Sequence, residues 1–255
     1  MPPLASSAIP IGPLASLVTE ALAGELVGLY LYGSVVSGGF DPGVSDIDLV
    51  AVTTRDAAFL DLDALDRVHR AFVSDHPAWE DRIEVLYIGA DTLRNFRSAM
   101  ADLAVISPGE ALHLSGPVRD WLQNWYLVRE SGVALTGKPA QGFFPEIDRE
   151  EYLSAVTRYA AWLAGRDLHA LAPGALAYTV LSLCRALRTV RTRQPCSKQD
   201  GAAWVADHIP DHAALIDAAL ACRLARGGFG FDDPAQRTAA IDLVRSLAAA
   251  IANPR

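Results

Sequence analysis

Apolar positions change their spacing several times along the first half of the chain. Leu14 to Ala23 repeat with helical spacing, Glu25 to Leu31 read as a strand, and a Gly/Ser-rich loop from Gly33 to Ser45 leads into a second strand, Asp46 to Val52. Phe59, Leu60, Leu62, Leu65, Val68 and Phe72 mark an amphipathic helix over Ala57 to Val73, and Arg82 to Ile88 read as a further strand. Such a mixture predicts a small sheet covered by helices. From about Pro117 onward the strand signals stop. Helical patterns then run through Val118 to Ser131, Arg149 to Ala164, Ala175 to Arg193, Lys198 to His208, Asp211 to Arg226 and Pro234 to Ile251. Gly137-Lys-Pro, Pro173-Gly, Gln194-Pro, Gly227-Gly and Asp233-Pro punctuate them as turns. The pattern predicts an α+β protein of two domains, residues 1–145 with a small mixed sheet flanked by helices and residues 146–255 as an all-helical bundle.

Composition narrows the function classes. The chain has 255 residues, of which 51% are hydrophobic and 20% charged, as in an ordinary globular protein. Its formal net charge of -8, with no Lys/Arg cluster, argues against general binding to nucleic acid and favours a cationic small molecule. The three cysteines, Cys184, Cys196 and Cys222, have no metal-ligand spacing and read as free thiols in a reducing compartment. No secretory signal and no membrane-spanning apolar run is read, so a cytoplasmic protein, monomeric and without a membrane partner, is expected.

Chemistry concentrates in Leu31-Tyr-Gly-Ser-Val-Val-Ser-Gly-Gly-Phe-Asp-Pro-Gly-Val-Ser-Asp-Ile-Asp-Leu-Val50. Asp46 and Asp48 stand one residue apart at the start of an apolar strand, so both carboxylates share a face. Side-by-side carboxylates repel and lose hydration when half-buried, which calls for a compensating cation. Glu84, in Arg82-Ile-Glu-Val-Leu-Tyr-Ile, is a third acid within a strand of aliphatics. If the two strands are neighbours, three oxygen donors converge in a way that suits Mg²⁺ bound with substrate phosphates. Gly33 would let the backbone approach a phosphate, and Ser34 would supply a hydroxyl and an N–H. Glu84 could accept the proton of an incoming hydroxyl. Taken singly, Asp-x-Asp is more often a strand-end turn or a solvated face, and Gly-Ser means little. The combination is more specific than its parts.

Gly-Ser, a spacer and Asp-x-Asp at a strand start resemble the signature of the nucleotidyltransferase superfamily. Ser131-Gly-Val-Ala-Leu-Thr-Gly-Lys-Pro, Leu181-Ser-Leu-Cys-Arg185 and Ser197-Lys-Gln-Asp-Gly-Ala-Ala-Trp204 narrow the resemblance to the aminoglycoside adenylyltransferases that act on streptomycin and spectinomycin. It covers about Leu29 to Arg226. The resemblance implies ATP as co-substrate and two Mg²⁺ ions, with Asp46, Asp48 and Glu84 as metal ligands and Glu84 also as general base. It implies phosphate contacts from Ser34 and Ser45, a role for Asp48 toward the bound nucleotide, and Asp120, Arg185 and Lys198 as residues of the helical half that close over ATP. Arg185 and Lys198 could offset triphosphate charge. Without the resemblance they read as an amphipathic-helix arginine and a first-turn lysine.

Trp162 and Asp167, five positions apart, match a Trp and an Asp of family members that accept streptomycin. Trp can pack on a sugar or streptidine face and Asp can pair with a guanidinium. The plainer account makes Trp162 part of a core face with Val156 and Tyr159, and Asp167 an exposed turn residue. The sequence also departs from the family. The stretch between Asp167 and Arg185 is longer, with His169 the substitute available for a missing acid, and Leu224 stands where an ATP-stacking aromatic is expected. His208 and His212 flank Pro210 and make a poor shared metal face. No Gly-x-Ser-x-Gly, Walker loop or Cys-x-x-Cys occurs. The expected activity is Mg²⁺-dependent transfer of AMP from ATP to a hydroxyl of streptomycin or spectinomycin. The alternatives are another acceptor, small molecule or protein, and a noncatalytic nucleotide-binding protein of the same fold.

Overall fold

The computed structural model describes residues 9–225 and 230–253. The Gly227-Gly turn, and Arg226 at the end of the expected helix before it, lie outside the described residues. Contacts divide the chain into two compact units: residues up to Val36 with Ser45–Glu146, and Ser37–Val44 with the chain from Ile147 onward.

In the first unit the chain runs α1 (Ile11–Ala21), β1 (Leu26–Tyr32), α2 (Ser34–Ser37, its last residue assigned to the other unit), β2 (Ile47–Thr53), α3 (Leu62–Asp75), β3 (Ile83–Gly89), α4 (Ala90–Arg94), β4 (Leu103–Ser107), β5 (Glu110–Ser115), α5 (Leu122–Ser131) and β6 (Val133–Thr136). Among the described residues these strands form a six-stranded sheet in the order β5-β4-β3-β2-β1-β6. β2 and β3 are parallel, and the remaining pairs are antiparallel. The mixed sheet with flanking helices agrees with the sequence reading. Ile47, Leu49, Val50, Ala51 and Val52 are all fully buried, so β2 is covered on both faces once it passes Asp48.

Three strands were not expected. β5 is an edge strand with its side chains largely exposed, so its pattern lacks a buried face. β4 lies beside it, and β6 is only four residues long at the opposite edge, after the point where strand signals stop. The expected helix from Ala57 is broken as well. A 3-10 turn covers Ala57–Phe59, and Asp61 then caps α3 by accepting the Ala64 N–H at 2.9 Å. Phe59 is therefore 68% exposed rather than part of the buried face.

The second unit contains α6 (Arg149–Ala164), α7 (Pro173–Thr192), α8 (Lys198–His208), α9 (Ala213–Leu224) and α10 (Pro234–Ala252). α7 packs against α6, α8, α9 and α10, which explains its burial on several sides at Leu176, Val180, Leu181, Leu183, Cys184 and Leu187. Asp148 caps α6 through the Glu151 N–H at 2.8 Å, and Asp233 caps α10 through the Gln236 N–H at 2.9 Å. Ser197 and Asp200 form a reciprocal capping box at the start of α8. Pro173, read as a turn residue, opens α7 instead, and Pro234 opens α10 where the helical pattern was read to start. Proline fits the first helical position because its missing N–H would have no partner there.

Candidate active site

Register places three side chains in a row. Asp48 of β2 is the cross-strand partner of Tyr32 in β1 and of Glu84 in β3. Partners in register point to the same face, so the two acids stand on adjacent strands with the tyrosine beside them. The Tyr32 hydroxyl donates to Glu84 Oε1 at 2.7 Å and accepts from Asn124 Nδ2, on α5, at 2.9 Å. Burial, followed by the negative charges of Glu84 and Asp48, raises the Tyr32 pKa well above its ordinary value. The phenol therefore keeps its proton and fixes the orientation of the Glu84 carboxylate.

Asp46 lies one residue before β2, outside the strand in which it was expected. Its approach to the sheet is set by Arg82, whose Nε and Nη2 donate to the Ser45 carbonyl at 3.0 and 2.6 Å. The Arg82 carbonyl accepts the Ile47 N–H at 3.0 Å, and its guanidinium lies 4.3 Å above the Trp79 ring. Ser45 itself is buried. Among the described residues, no group of three His, Cys, Asp or Glu side chains is placed to cage a metal ion.

Gly33 follows Tyr32 directly and has φ +71°. A Cβ there would run into the Asp48 carboxylate and come within 2.9 Å of Asp48 Cβ. Only glycine satisfies both the left-handed backbone and this close approach. Next to it, the Ser34 Oγ is buried without a hydrogen-bond partner. A buried hydroxyl left unpaired costs free energy unless something binds it. A phosphate oxygen or metal-bound water would satisfy it. Mg²⁺ commonly takes one or two carboxylates plus substrate phosphates, so Asp48, Glu84 and Ser34 fit a metal–triphosphate group without a protein cage.

Other expected site residues lie in the helical unit. Arg185 is on α7, half-buried where Gly201 of α8 packs against it. Lys198 is the first residue of α8, with its Nζ 4.2 Å from the centre of the Tyr178 ring. Trp162 is 59% exposed on α6, so it does not close a core face. It stacks on Tyr159 at 5.6 Å and lies under the Arg166 guanidinium. The Tyr159 and Tyr178 hydroxyls are 3.1 Å apart, which links the neighbourhoods of Trp162 and Lys198. Asp167 is exposed, and its Oδ1 accepts the N–H groups of His169 and Ala170 at 3.2 and 3.3 Å, as a turn residue does. His169 is exposed too, with its carbonyl accepting from Arg237 at 2.8 Å. Leu224 is 60% exposed at the end of α9. Asp120 does not belong to the helical half. It is exposed in the 3-10 turn Val118–Trp121 of the first unit, 4.0 Å from Arg119 Nε.

Sequence reasoning missed Tyr32, Asn124 and Arg82. An aromatic in a strand reads as core, an Asn on a helix face reads as solvated, and an Arg at a strand start carries no signal of burial. Only the adjacency of Tyr32 to Gly33-Ser34 pointed at it.

Family comparisons fall on the same two regions. Residues 18–91 match the family model described as "Nucleotidyltransferase domain", a span that contains Gly33, Ser34, Asp46, Asp48 and Glu84. Set on the mixed sheet, that match gives the class: the chain is a nucleotidyltransferase. Residues 142–249 match "Aminoglycoside adenylyltransferase, C-terminal domain", which takes in Trp162, Asp167, Arg185 and Lys198 but not Asp120. The chain belongs to the aminoglycoside adenylyltransferases of the nucleotidyltransferase superfamily.

Among solved structures, spectinomycin adenyltransferase AAD(9) from Enterococcus faecialis, with ATP and spectinomycin, matches with a TM-score of 0.74. The match covers 95% of this chain and 98% of that chain at 16% identity, a likeness of fold. A toxin–antitoxin structure with AMP-PNP covers 62% of this chain and 93% of its own at 17% identity, and its TM-score of 0.31 carries no argument. No curated protein matches in sequence. Among the described residues, no helix is long and apolar enough to cross a membrane.

Proposed function

We propose that this enzyme transfers AMP from ATP to a hydroxyl of an aminoglycoside-type antibiotic, streptomycin or spectinomycin, and so inactivates it. The observation that carries the reading is the Tyr32–Asp48–Glu84 row beside Gly33 and the unpaired Ser34 hydroxyl. In the reaction the acceptor oxygen attacks the α-phosphorus, its proton passes to Glu84, and the bond to the leaving pyrophosphate breaks. Tyr32 holds the Glu84 carboxylate in one orientation for that proton transfer. Ser34 binds a phosphate oxygen, with Ser45 assigned the same task from the loop end.

Asp48 and Glu84, with Asp46 at the strand start, would hold Mg²⁺, which when bound offsets charge on the phosphoryl oxygens. Arg185 and Lys198 offset the charge of the triphosphate, and the same reading assigns Asp120 to ATP. The exposed Trp162 and its neighbour Asp167 contact the antibiotic, whose positive charge suits the acidic chain. On this reading residues 1–145 carry the chemistry and residues 146–255 place both substrates, in a protein that acts as a cytoplasmic monomer.

The test incubates the protein with Mg²⁺, ATP and, separately, streptomycin and spectinomycin, and weighs the antibiotics by mass spectrometry. Asp48→Ala is the inactive control. An added AMP on either antibiotic supports the reading, and one on streptomycin supports the assignment of Trp162 and Asp167. Unmodified antibiotics in both reactions, from a folded protein, would sink it.

A further inference from the structure

The segment Ser37–Val44 joins the Gly33-Ser34 motif to Asp46 and Asp48, yet it belongs to the helical unit. Asp41 ties it to two helices of that unit. Its Oδ1 accepts a hydrogen bond from Gln199 Nε2 on α8, and its Oδ2 lies 3.2 Å from Arg223 Nε on α9. The Asp41 and Arg223 side chains are only 16% and 20% exposed. By contrast, the Arg245–Asp242 pair on α10 is 60% and 64% exposed, where solvent screens it. Two residues before Asp41, a Cβ on Gly39 would come within 2.5 Å of Ser197 Cβ, so the backbone itself presses on the residue that caps α8.

A sheltered carboxylate held by donors from two helices costs desolvation, and that cost brings geometric definition. Along the chain, the clasp is flanked by residues of the proposed chemistry. Ser34 precedes the segment by three residues, Asp46 follows it by two, and Gln199 is the immediate neighbour of Lys198. A segment packed only by apolar contacts could slide on α8. One fixed at two points by a charged group cannot do so without breaking a bond.

We infer that Asp41 is a positioning residue for nucleotidyl transfer, its two-point clasp to Gln199 and Arg223 fixing the segment between Ser34 and Asp46 against the helix that bears Lys198. The inference rests on the reading given under the proposed function. Asp41 touches neither nucleotide nor acceptor and acts through the residues it holds.

The test uses the full chain with Asp41→Asn, Asp41→Glu, Arg223→Asp and the charge-reversed pair Asp41→Arg/Arg223→Asp. Three quantities are measured: thermal melting, binding of a nonhydrolysable ATP analogue by calorimetry, and kcat and KM with whichever antibiotic the wild type modifies. Asp41→Asn and Arg223→Asp are expected to melt as cooperatively as wild type while weakening analogue binding about tenfold and lowering kcat about tenfold. The acceptor KM stays within a factor of about two, since the acceptor is not held by this segment. Asp41→Glu and the reversed pair recover most of both losses. Variants that are folded and bind and turn over like wild type would overturn the inference. So would losses that the reversed pair fails to restore. If wild type modifies no antibiotic, the proposed function falls while the analogue-binding arm still tests the clasp.

Discussion

Tyr32 spans the strand that carries Asp48 to reach Glu84, and Asn124 holds it from behind. A hydrogen bond to a charged group is worth about 2 kcal/mol, so losing it should be felt in turnover. Tyr32→Phe is expected to fold normally and to lower kcat about tenfold in a pyrophosphate-release assay. Because the phenol is held neutral well above its ordinary pKa, the wild-type rate should show no tyrosine ionisation step on the alkaline side. Gly33→Ala meets two obstacles, a positive φ and the Asp48 carboxylate. Displacing that acid should cost on the order of a hundredfold in rate, read in the same assay, with a smaller loss in melting temperature. The glycine, the serine and the acids were legible because strand spacing and their residue types are unusual together. The phenol was not, since nothing in a strand pattern distinguishes a packed aromatic ring from one that ends in a working hydroxyl.

Helices α6 and α8 occupy the ranges read from the sequence at both ends, because each starts at a polar cap that the pattern exposes. The sheet edges escaped detection for the converse reason. β5 buries no face, and β6 is too short to show a period. At this scale the contact of α8 with α7 is the most exacting. A Cβ on Gly201 would lie 2.5 Å from the Arg185 Cα and 2.6 Å from its N, both backbone atoms that cannot swing aside. Gly201→Ala should force the helices apart and destabilise the protein by about 1–3 kcal/mol, despite alanine's better helix propensity. Urea midpoints measure this. Because Arg185 and Lys198, proposed to offset triphosphate charge, ride on these two helices, the variant should also lose affinity for the ATP analogue.

For the molecule as a whole, acid stability follows from a buried histidine outside the row of candidate site residues. His69 is buried on α3, with its Nε2 2.7 Å from the Tyr87 hydroxyl, and burial lowers its pKa to about 4. The unfolded chain takes up this proton at about pH 6.5 and the folded chain only near 4, so stability falls as pH drops through that window. The slope is roughly 1 kcal/mol per pH unit from this group. His69→Asn should flatten the profile of urea midpoints between pH 6.5 and 4 relative to wild type, whatever it does at neutral pH. Fold class was legible at this scale from the change of period near Pro117. The assignment of Ser37–Val44 to the helical unit was not, because Asp41 finds its partners 158 and 182 positions away.

That eight-residue excursion makes the two halves inseparable as genes. A cut after Glu146 would deprive the C-terminal fragment of Ser37–Val44 and leave Arg223 and Gln199 facing water where Asp41 had been. The N-terminal fragment would carry the same octapeptide with nowhere to dock. Recombination that exchanged one half for a relative's would have to bring along a matching octapeptide from the other side of the junction. Co-expressed fragments, by contrast, retain every needed part between them, so reassembly is the expected fate of a split chain and independent folding is not.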